Sequence, residues 1–298
     1  MNDDTSRFRL FLFRLIPVLL VVSLVGWCSF QGNKRKELEP VRAELVDLLL
    51  TEGLIDSPTA GNLADVARRA GQPAMNRLLY NAAPTATLDV LRWIIRNGAD
   101  PKNVGALKDR TLLQQAAKTP RYEKLEFFLG LGLDPLERSR DGRSVLHFAA
   151  EGGLDERTIA LLQAKGIPLD DRTPSGAAAL HFASVKSIPV LVQAGQPVNV
   201  VDSEGRTPLH AAARNGRLDV INELIRSGAS VFAADKKGRT PLHLAVLGRS
   251  TEVVDALLAA GAPRTVRDQD GNTPRDLYQE SVRNRSRNEY RNDFLSRL

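Results

Sequence analysis

Apolar positions along the chain fall into three regimes. From Leu10 to Phe30 they run on with no polar face and one charge, Arg14. From Val41 onward they come at helical spacing, first Leu45, Leu48, Leu49 and Leu50 with acids between them, then Leu63, Val66, Ala67 and Ala70 before Gly71 to Pro73 ends the run. Beyond that, short helical runs come in pairs. In the clearest pair, Thr207 is suited to cap a helix through its hydroxyl, Pro208 to the first helical position, where no N–H partner is needed, and Leu209 opens an apolar face. Ala211, Ala212 and Ala213 let a second helix come close, Gly216 turns the chain, and Leu218, Val220, Ile221, Leu224 and Ile225 form a second stripe ended by Gly228. The pattern predicts helix, turn, helix, then an extended piece with a glycine turn from Ser230 to Arg239.

The run Thr207-Pro208-Leu209-His210 returns as Thr240-Pro241-Leu242-His243, 33 residues on. Equivalent positions fall near Arg77 and at Thr111, Ser144, Ala178, Thr207, Thr240 and Thr273, with spacings of 34, 33, 34, 29, 33 and 33. Two places before the motif stand Gly142, Gly176, Gly205, Gly238 and Gly271, with Asp109 in the first copy, as a turn requiring positive φ demands. This pattern at this period resembles the ankyrin repeat. The resemblance is close from Thr207 to Asn272 and partial at Ser144-Val145-Leu146-His147 and Ala178-Ala179-Leu180-His181. In the first two copies it shrinks to Leu-Leu followed by Ala82-Ala83 and Ala116-Ala117.

The fold expected is all-α: an ankyrin-repeat solenoid of helix-turn-helix repeats with short hairpin connections, plus one N-terminal transmembrane helix. Its divisions are a basic tail at 1–9, the membrane span at 10–30, a polar linker at 31–40, a helical cap at 41–76, repeats at 77–272 and a capping repeat at 273–298. A stack of repeats must cover its apolar ends, which the two caps would do.

The first run is long enough to span, since a transmembrane helix needs about 20 largely apolar residues. Arg14 lies near its end, where the side chain can reach the headgroups instead of costing the roughly 2.5–3.5 kcal/mol of a central charge. A cleaved signal peptide is the rival reading, but no small-residue cleavage site follows, and Trp27 precedes Cys28 where a lipoprotein site wants a small residue. Arg7, Arg9 and Arg14 before the run nearly balance Lys34, Arg35, Lys36 and Arg42 after it, so charge leaves the orientation open. A short basic start followed by an apolar run favours the N-terminus inside. The repeats would then stand in a bacterial periplasm, on a single-pass inner-membrane anchor; the cytoplasmic face is the alternative. Cys28 is the one cysteine, so the remainder cannot hold a disulfide.

Of the 298 residues 26% are charged, and the formal net charge of +6 favours an acidic partner without naming one. No phosphate-binding glycine loop, G-x-S-x-G or H-E-x-x-H occurs, and the chain reads as a non-enzyme without cofactor or metal. The acids Asp170 and Asp171 sit in a connection, where they would cap helices or stay solvated. All four histidines, His147, His181, His210 and His243, occupy one repeat position. Stacked helices lie about 8–10 Å apart, whereas zinc needs nitrogens at roughly 2.0–2.1 Å from one centre. Hydrogen bonds within and between repeat turns are the expectation. The 29-residue copy at Ala178 lacks a turn near Lys186-Ser187-Ile188-Pro189, which reads either as a tolerated deletion or as a notch shaped for a partner.

The resemblance implies protein binding through the hairpin tips and inner helices. Carried over by position, the tips present Arg140, Asp141, Pro174, Ser175, Ser203, Glu204, Lys236, Lys237, Gln269 and Asp270. The residue before each motif, Arg110, Arg143, Ala177, Arg206, Arg239 and Asn272, would put a broken basic stripe on the concave edge. The inner helices present Glu151 and Gly152, Arg214 and Asn215, and Leu247 and Gly248. Structural, solvated arginines are the competing reading of the stripe. The tail arginines Arg283, Arg285, Arg287, Arg291 and Arg297 suit a polar cap, and no aromatic platform beside them points to nucleic acid. Two functions follow: a tethered scaffold that holds a partner such as an envelope enzyme, or an immunity protein that neutralises a secreted antibacterial toxin of the type VI kind.

Overall fold

The computed structural model describes residues 42–54, 63–104, 109–119 and 121–283. The expected span at 10–30, the tail and linker around it, and residues 284–298 lie outside the described residues. Among the described residues every regular element is a helix, and no helix is long and apolar enough to cross a membrane.

In chain order the helices are α1 (42–51), α2 (Leu63–Ala82), α3 (Leu88–Arg96), α4 (Leu112–Ala116), α5 (Tyr122–Gly130), α6 (Val145–Gly152) and α7 (Glu156–Ala164). They continue as α8 (Ser187–Gln193), α9 (Pro208–Arg214), α10 (Leu218–Arg226), α11 (Pro241–Gly248), α12 (Thr251–Ala259) and α13 (Pro274–Arg283). Short 3₁₀ turns occupy Pro101–Asn103 and Ala179–His181. The chain divides into two compact units, one comprising residues up to Leu78 with Ala86–Ala99, the other Leu79–Thr85 with everything from Asp100.

The first unit buries Leu45 and Leu49 of α1, Val66, Ala67, Met75 and Leu78 of α2, and Val90, Leu91 and Ile94 of α3. Both carboxylate oxygens of Glu44 cap the start of α3, accepting the Thr87 backbone N–H at 2.8 Å and its hydroxyl at 2.9 Å. A carboxylate there also meets the positive end of the helix dipole. Gly71 breaks α2 where the sequence places a stop (φ 75°, ψ 168°), but the helix resumes through Pro73 and runs on to Ala82. Proline is tolerated in the first turn of that second half because its missing N–H has no partner to lose.

In the second unit α4, α6, the Ala179–His181 turn, α9, α11 and α13 form an inner row, each packed on the next. In the outer row α5 packs on α7, and α8, α10 and α12 pack in succession. The leucine two places after each motif start, Leu113, Leu146, Leu180, Leu209 or Leu242, is buried. Burying each contributes about 1.5–3 kcal/mol. The outer helices supply Phe128, Leu162, Leu191, Leu224 and Leu257 from the other side. The inner row is close enough that a Cβ on Gly152 would lie 2.5 Å from the Lys118 carbonyl oxygen, and one on Gly248 2.5 Å from that of Arg214. Both positions, expected to face a partner, also allow this close approach of the neighbouring copy.

Candidate protein-binding site

Between the helix pairs the chain makes five similar turns. The N–H of Ser139, Thr173, Asp202, Asp235 or Asp268 donates to the carbonyl four residues on, at 2.9–3.0 Å. The glycine before the last residue lies between φ 74° and 83° in every one, as its spacing in the sequence requires. Three of these turns begin with aspartate, whose carboxylate accepts the N–H groups two and four residues later. Burial opposes ionisation of Asp202 and Asp235, but those N–H donors and the guanidinium of Arg206 or Arg239 hold both carboxyls below their ordinary value.

The turns are laddered. Arg140, Ser203, Lys236 and Gln269 each donate a backbone N–H to the preceding connection, at Asp109, Ser175, Glu204 and Lys237 respectively, at 2.9–3.0 Å. Pro174 has no N–H to give. Arg138 bridges this joint instead, donating to the carbonyls of Gly142 at 3.0 Å and Arg172 at 3.1 Å and to Asp171 at 2.5 Å. Asp171 is therefore buried and ion-paired, and neither caps a helix nor stays solvated. It occupies the slot that the buried Val200 fills one copy on.

The histidines tie each copy to the next. The ring Nδ1 of His147, His181, His210 and His243 accepts the backbone N–H of Ser144, Ala178, Thr207 and Thr240, at 3.1–3.2 Å. A backbone N–H can only donate, so the ring proton resides on Nε2. From there it is given to the carbonyl oxygens of Ala177, Arg206, Arg239 and Asn272 at 2.9–3.2 Å. Burial pushes the pKa of all four rings down.

Sequence reasoning missed the two residues that complete this series. Gln114 stands where a histidine would: its Oε1 accepts the Thr111 N–H at 3.0 Å and its Nε2 donates to the carbonyls of Glu137 and Arg143. Asp276 ends the series, accepting from the Thr273 N–H and hydroxyl. These bonds hold its carboxyl below the usual range. Each lies three places after its threonine, and that spacing is the signal that would have found them.

The expected basic stripe turns inward. Arg143 pairs with Asp141 at 2.7 Å and Glu151 at 3.1 Å, Arg206 with Asp202 at 2.9 Å, and Arg239 with Asp235 at 2.7 Å. Their side chains are 14%, 26% and 17% exposed. Arg143 also lies over the rings of Phe148 and Phe182, and Arg110 over that of Phe148. Arg140 is exposed and paired with Asp109. Glu151 serves both Arg143 and Lys118. Ser203 and Glu204 are exposed at their tip. Arg214, Asn215, Lys236, Lys237 and Leu247 are likewise exposed, and among the described residues neither Arg214, Lys236 nor Lys237 has an acidic partner within 4.0 Å.

In the 29-residue copy the inner helix is reduced to the 3₁₀ turn Ala179–His181. Its backbone is stitched to both neighbours. The Ser184 N–H and Ser187 hydroxyl donate to the Ala150 carbonyl at 2.9 and 2.7 Å, and Ser187 accepts the Leu154 N–H at 3.0 Å. Arg217 reaches back to the Ala183 carbonyl at 2.9 Å. A groove of about 290 Å³ opens beside this shortened element, lined by Phe182, Ala211 and Leu244 from three successive copies. Arg206, Arg214 and Asn215 also line it.

Residues 177–270 match the family described as ankyrin repeats, in three copies. Repeats of this kind are typically non-catalytic modules of protein–protein interaction. Among curated proteins the chain is similar to Protein PhlB of Serratia liquefaciens, at 34% identity over 113 residues, 36% of this chain and 49% of that protein. It is similar to Ankyrin repeat domain-containing protein 53 of Homo sapiens at 32% identity, covering 35% of this chain and 21% of the relative. Synphilin-1 of Mus musculus is 27% identical over 64% of this chain and 21% of its own length. The chain thus spans less than half the length of each of these relatives.

Proposed function

We propose that this protein is a non-catalytic, membrane-anchored binding module that holds a partner protein against the tips and inner helices of its repeats. The observation that carries this reading is the contrast among the cations of that surface. Arg143, Arg206 and Arg239 are spent on shaping their own turns, while Arg214, Lys236 and Lys237 are exposed with no acidic partner within 4.0 Å among the described residues. Exposed cations without a carboxylate of their own, on a surface fixed by ladders and histidine bridges, steer and orient an acidic partner. The apolar run at 10–30 would anchor the chain in the inner membrane with the repeats in the periplasm.

Affinity capture with the full-length chain tests this reading, comparing the native protein with Arg214→Glu/Lys236→Glu/Lys237→Glu. A protein held by the native chain and lost with the triple change supports it. An envelope enzyme in the capture points to scaffolding and a secreted toxin to immunity, while equal capture by both chains overturns the surface. Reporter fusions after residue 40 test the orientation: periplasmic activity is expected, and cytoplasmic activity would reverse it.

A further inference from the structure

The groove beside the shortened copy arises from two coincident features. In the residue that follows the histidine position, the inner row carries Phe148, Phe182, Ala211 and Leu244, so one small side chain stands between two large ones. On the Phe182 side the inner element stops after a single 3₁₀ turn, so no second helical turn covers the space. The hydrogen bonds of Ser184, Ser187 and Arg217 satisfy the backbone that the missing turn leaves behind. The opening is therefore a settled part of the fold.

Its lining joins apolar side chains to two arginines and the carboxylate of Asp202. Ala211, Leu244 and the half-buried Phe182 are its apolar lining. Of the two arginines, Arg206 is held by Asp202, whose oxygens also accept the N–H groups of Glu204 and Arg206. Arg214 is exposed and has no carboxylate within 4.0 Å among the described residues. At about 290 Å³ the groove lies at the small end of ligand sites, the scale of one side chain and its flanking peptide units.

We propose that this groove takes one large apolar side chain from an extended acidic segment of the partner protein, with a neighbouring carboxylate on Arg214. The inference deepens the protein-binding reading and rests on it. It follows from charge complementarity: Arg214, the lining arginine with no carboxylate within 4.0 Å among the described residues, shares the groove with apolar Phe182, Ala211 and Leu244, and a bidentate arginine–carboxylate contact fixes register as well as charge.

The test uses the full-length protein and labelled peptides in which Leu, Phe or Met is flanked by Asp and Glu, with matched panels that place Ala at the centre or Lys in the flanks. Binding is read by fluorescence anisotropy. The expected result is saturable binding of the acidic apolar peptides. It should weaken at least tenfold in Ala211→Leu, which fills the groove, and in Arg214→Glu, and stay unchanged in Arg264→Glu, which reverses an exposed charge in the loop after α12. Arg214 is exposed, so that variant keeps the test valid should Ala211→Leu disturb packing. Preference for neither acid nor apolar centre, or equal loss in Arg264→Glu, overturns the groove. If a captured partner is bound equally by native, Ala211→Leu and Arg214→Glu chains, the groove is wrong and the protein-binding reading stands. If neither peptides nor proteins bind, both fall.

Discussion

The Nε2 of His210 donates to the carbonyl oxygen of Arg239 across 2.9 Å, joining the start of one repeat helix to the end of the next turn. The same ring accepts the Thr207 N–H at Nδ1, so one neutral imidazole serves two backbone groups in a site that excludes water. Gln114 performs both tasks with an amide. His210→Gln is therefore expected to cost less than about 1 kcal/mol, while His210→Ala strands a buried donor and acceptor and costs about 3 kcal/mol. Urea unfolding of both variants checks this; equal losses would show that packing of the ring, and not its hydrogen bonds, matters.

Acid should loosen the stack before it affects the carboxylates. Burial lowers the folded pKa of His147, His181, His210 and His243 below the ordinary 6.5. The unfolded chain then binds more protons than the folded one in the window below pH 6.5. Stability is complete above that pH and falls as pH drops, by up to about 1.4 kcal/mol per pH unit for each histidine. Asp202 and Asp235, held below 3.8, add their losses only below about that value. Thermal melts between pH 7.5 and 5 should show a falling midpoint, less steep in His210→Gln. A flat profile would contradict the neutral-ring assignment.

Gly142 and Pro174 are coupled. A Cβ on Gly142 would lie 2.2 Å from the Pro174 Cδ, and the glycine itself sits at φ 76°. Gly142→Ala should cost upward of about 2 kcal/mol, with part of the loss returned by Pro174→Ala. The remainder is the backbone strain that relief of the clash cannot remove. A double-mutant cycle in urea gives the coupling, and strict additivity would place the two residues out of contact.

Arg249 is the one non-glycine residue with positive φ among the described residues, at 60°, where Gly216 stands one copy earlier at 69°. Arg249→Gly should stabilise the protein by about 0.5–1 kcal/mol, because relief of the left-handed strain exceeds the entropy that glycine loses. The melting midpoint should rise by about 1–3 °C. An unchanged or lower midpoint would mean that the arginine makes a compensating contact.

The repeat register was legible because the backbone dictates the residue types: threonine for a cap, proline for the first turn, glycine for the left-handed turn and histidine for the two-sided bridge. Gln114 and Asp276 escaped because they answer the same demand with different chemistry, which a search for a repeated letter does not see. The stripe arginines Arg143, Arg206 and Arg239 can be found from the repeat register, but their side-chain direction cannot be read from it. Each guanidinium has an acid two or four residues away in its own turn, and that local pairing wins over display to solvent. Asp171 misled for the reverse reason: its partner Arg138 is 33 residues distant and only the stacking brings them together. The groove depends on the size of Ala211 between two larger neighbours and on a missing helical turn, features that acquire meaning only when three copies lie side by side.

The account turns on whether the exposed cations Arg214, Lys236 and Lys237 carry the partner. The most direct measurement is titration calorimetry of the captured partner against the full-length native chain and Arg214→Glu/Lys236→Glu/Lys237→Glu, with circular dichroism confirming that both fold alike. The account predicts a dissociation constant at least a hundredfold weaker for the triple variant, and a native affinity that declines as salt rises. Equal affinities in the two chains, or a native affinity indifferent to salt, would contradict it.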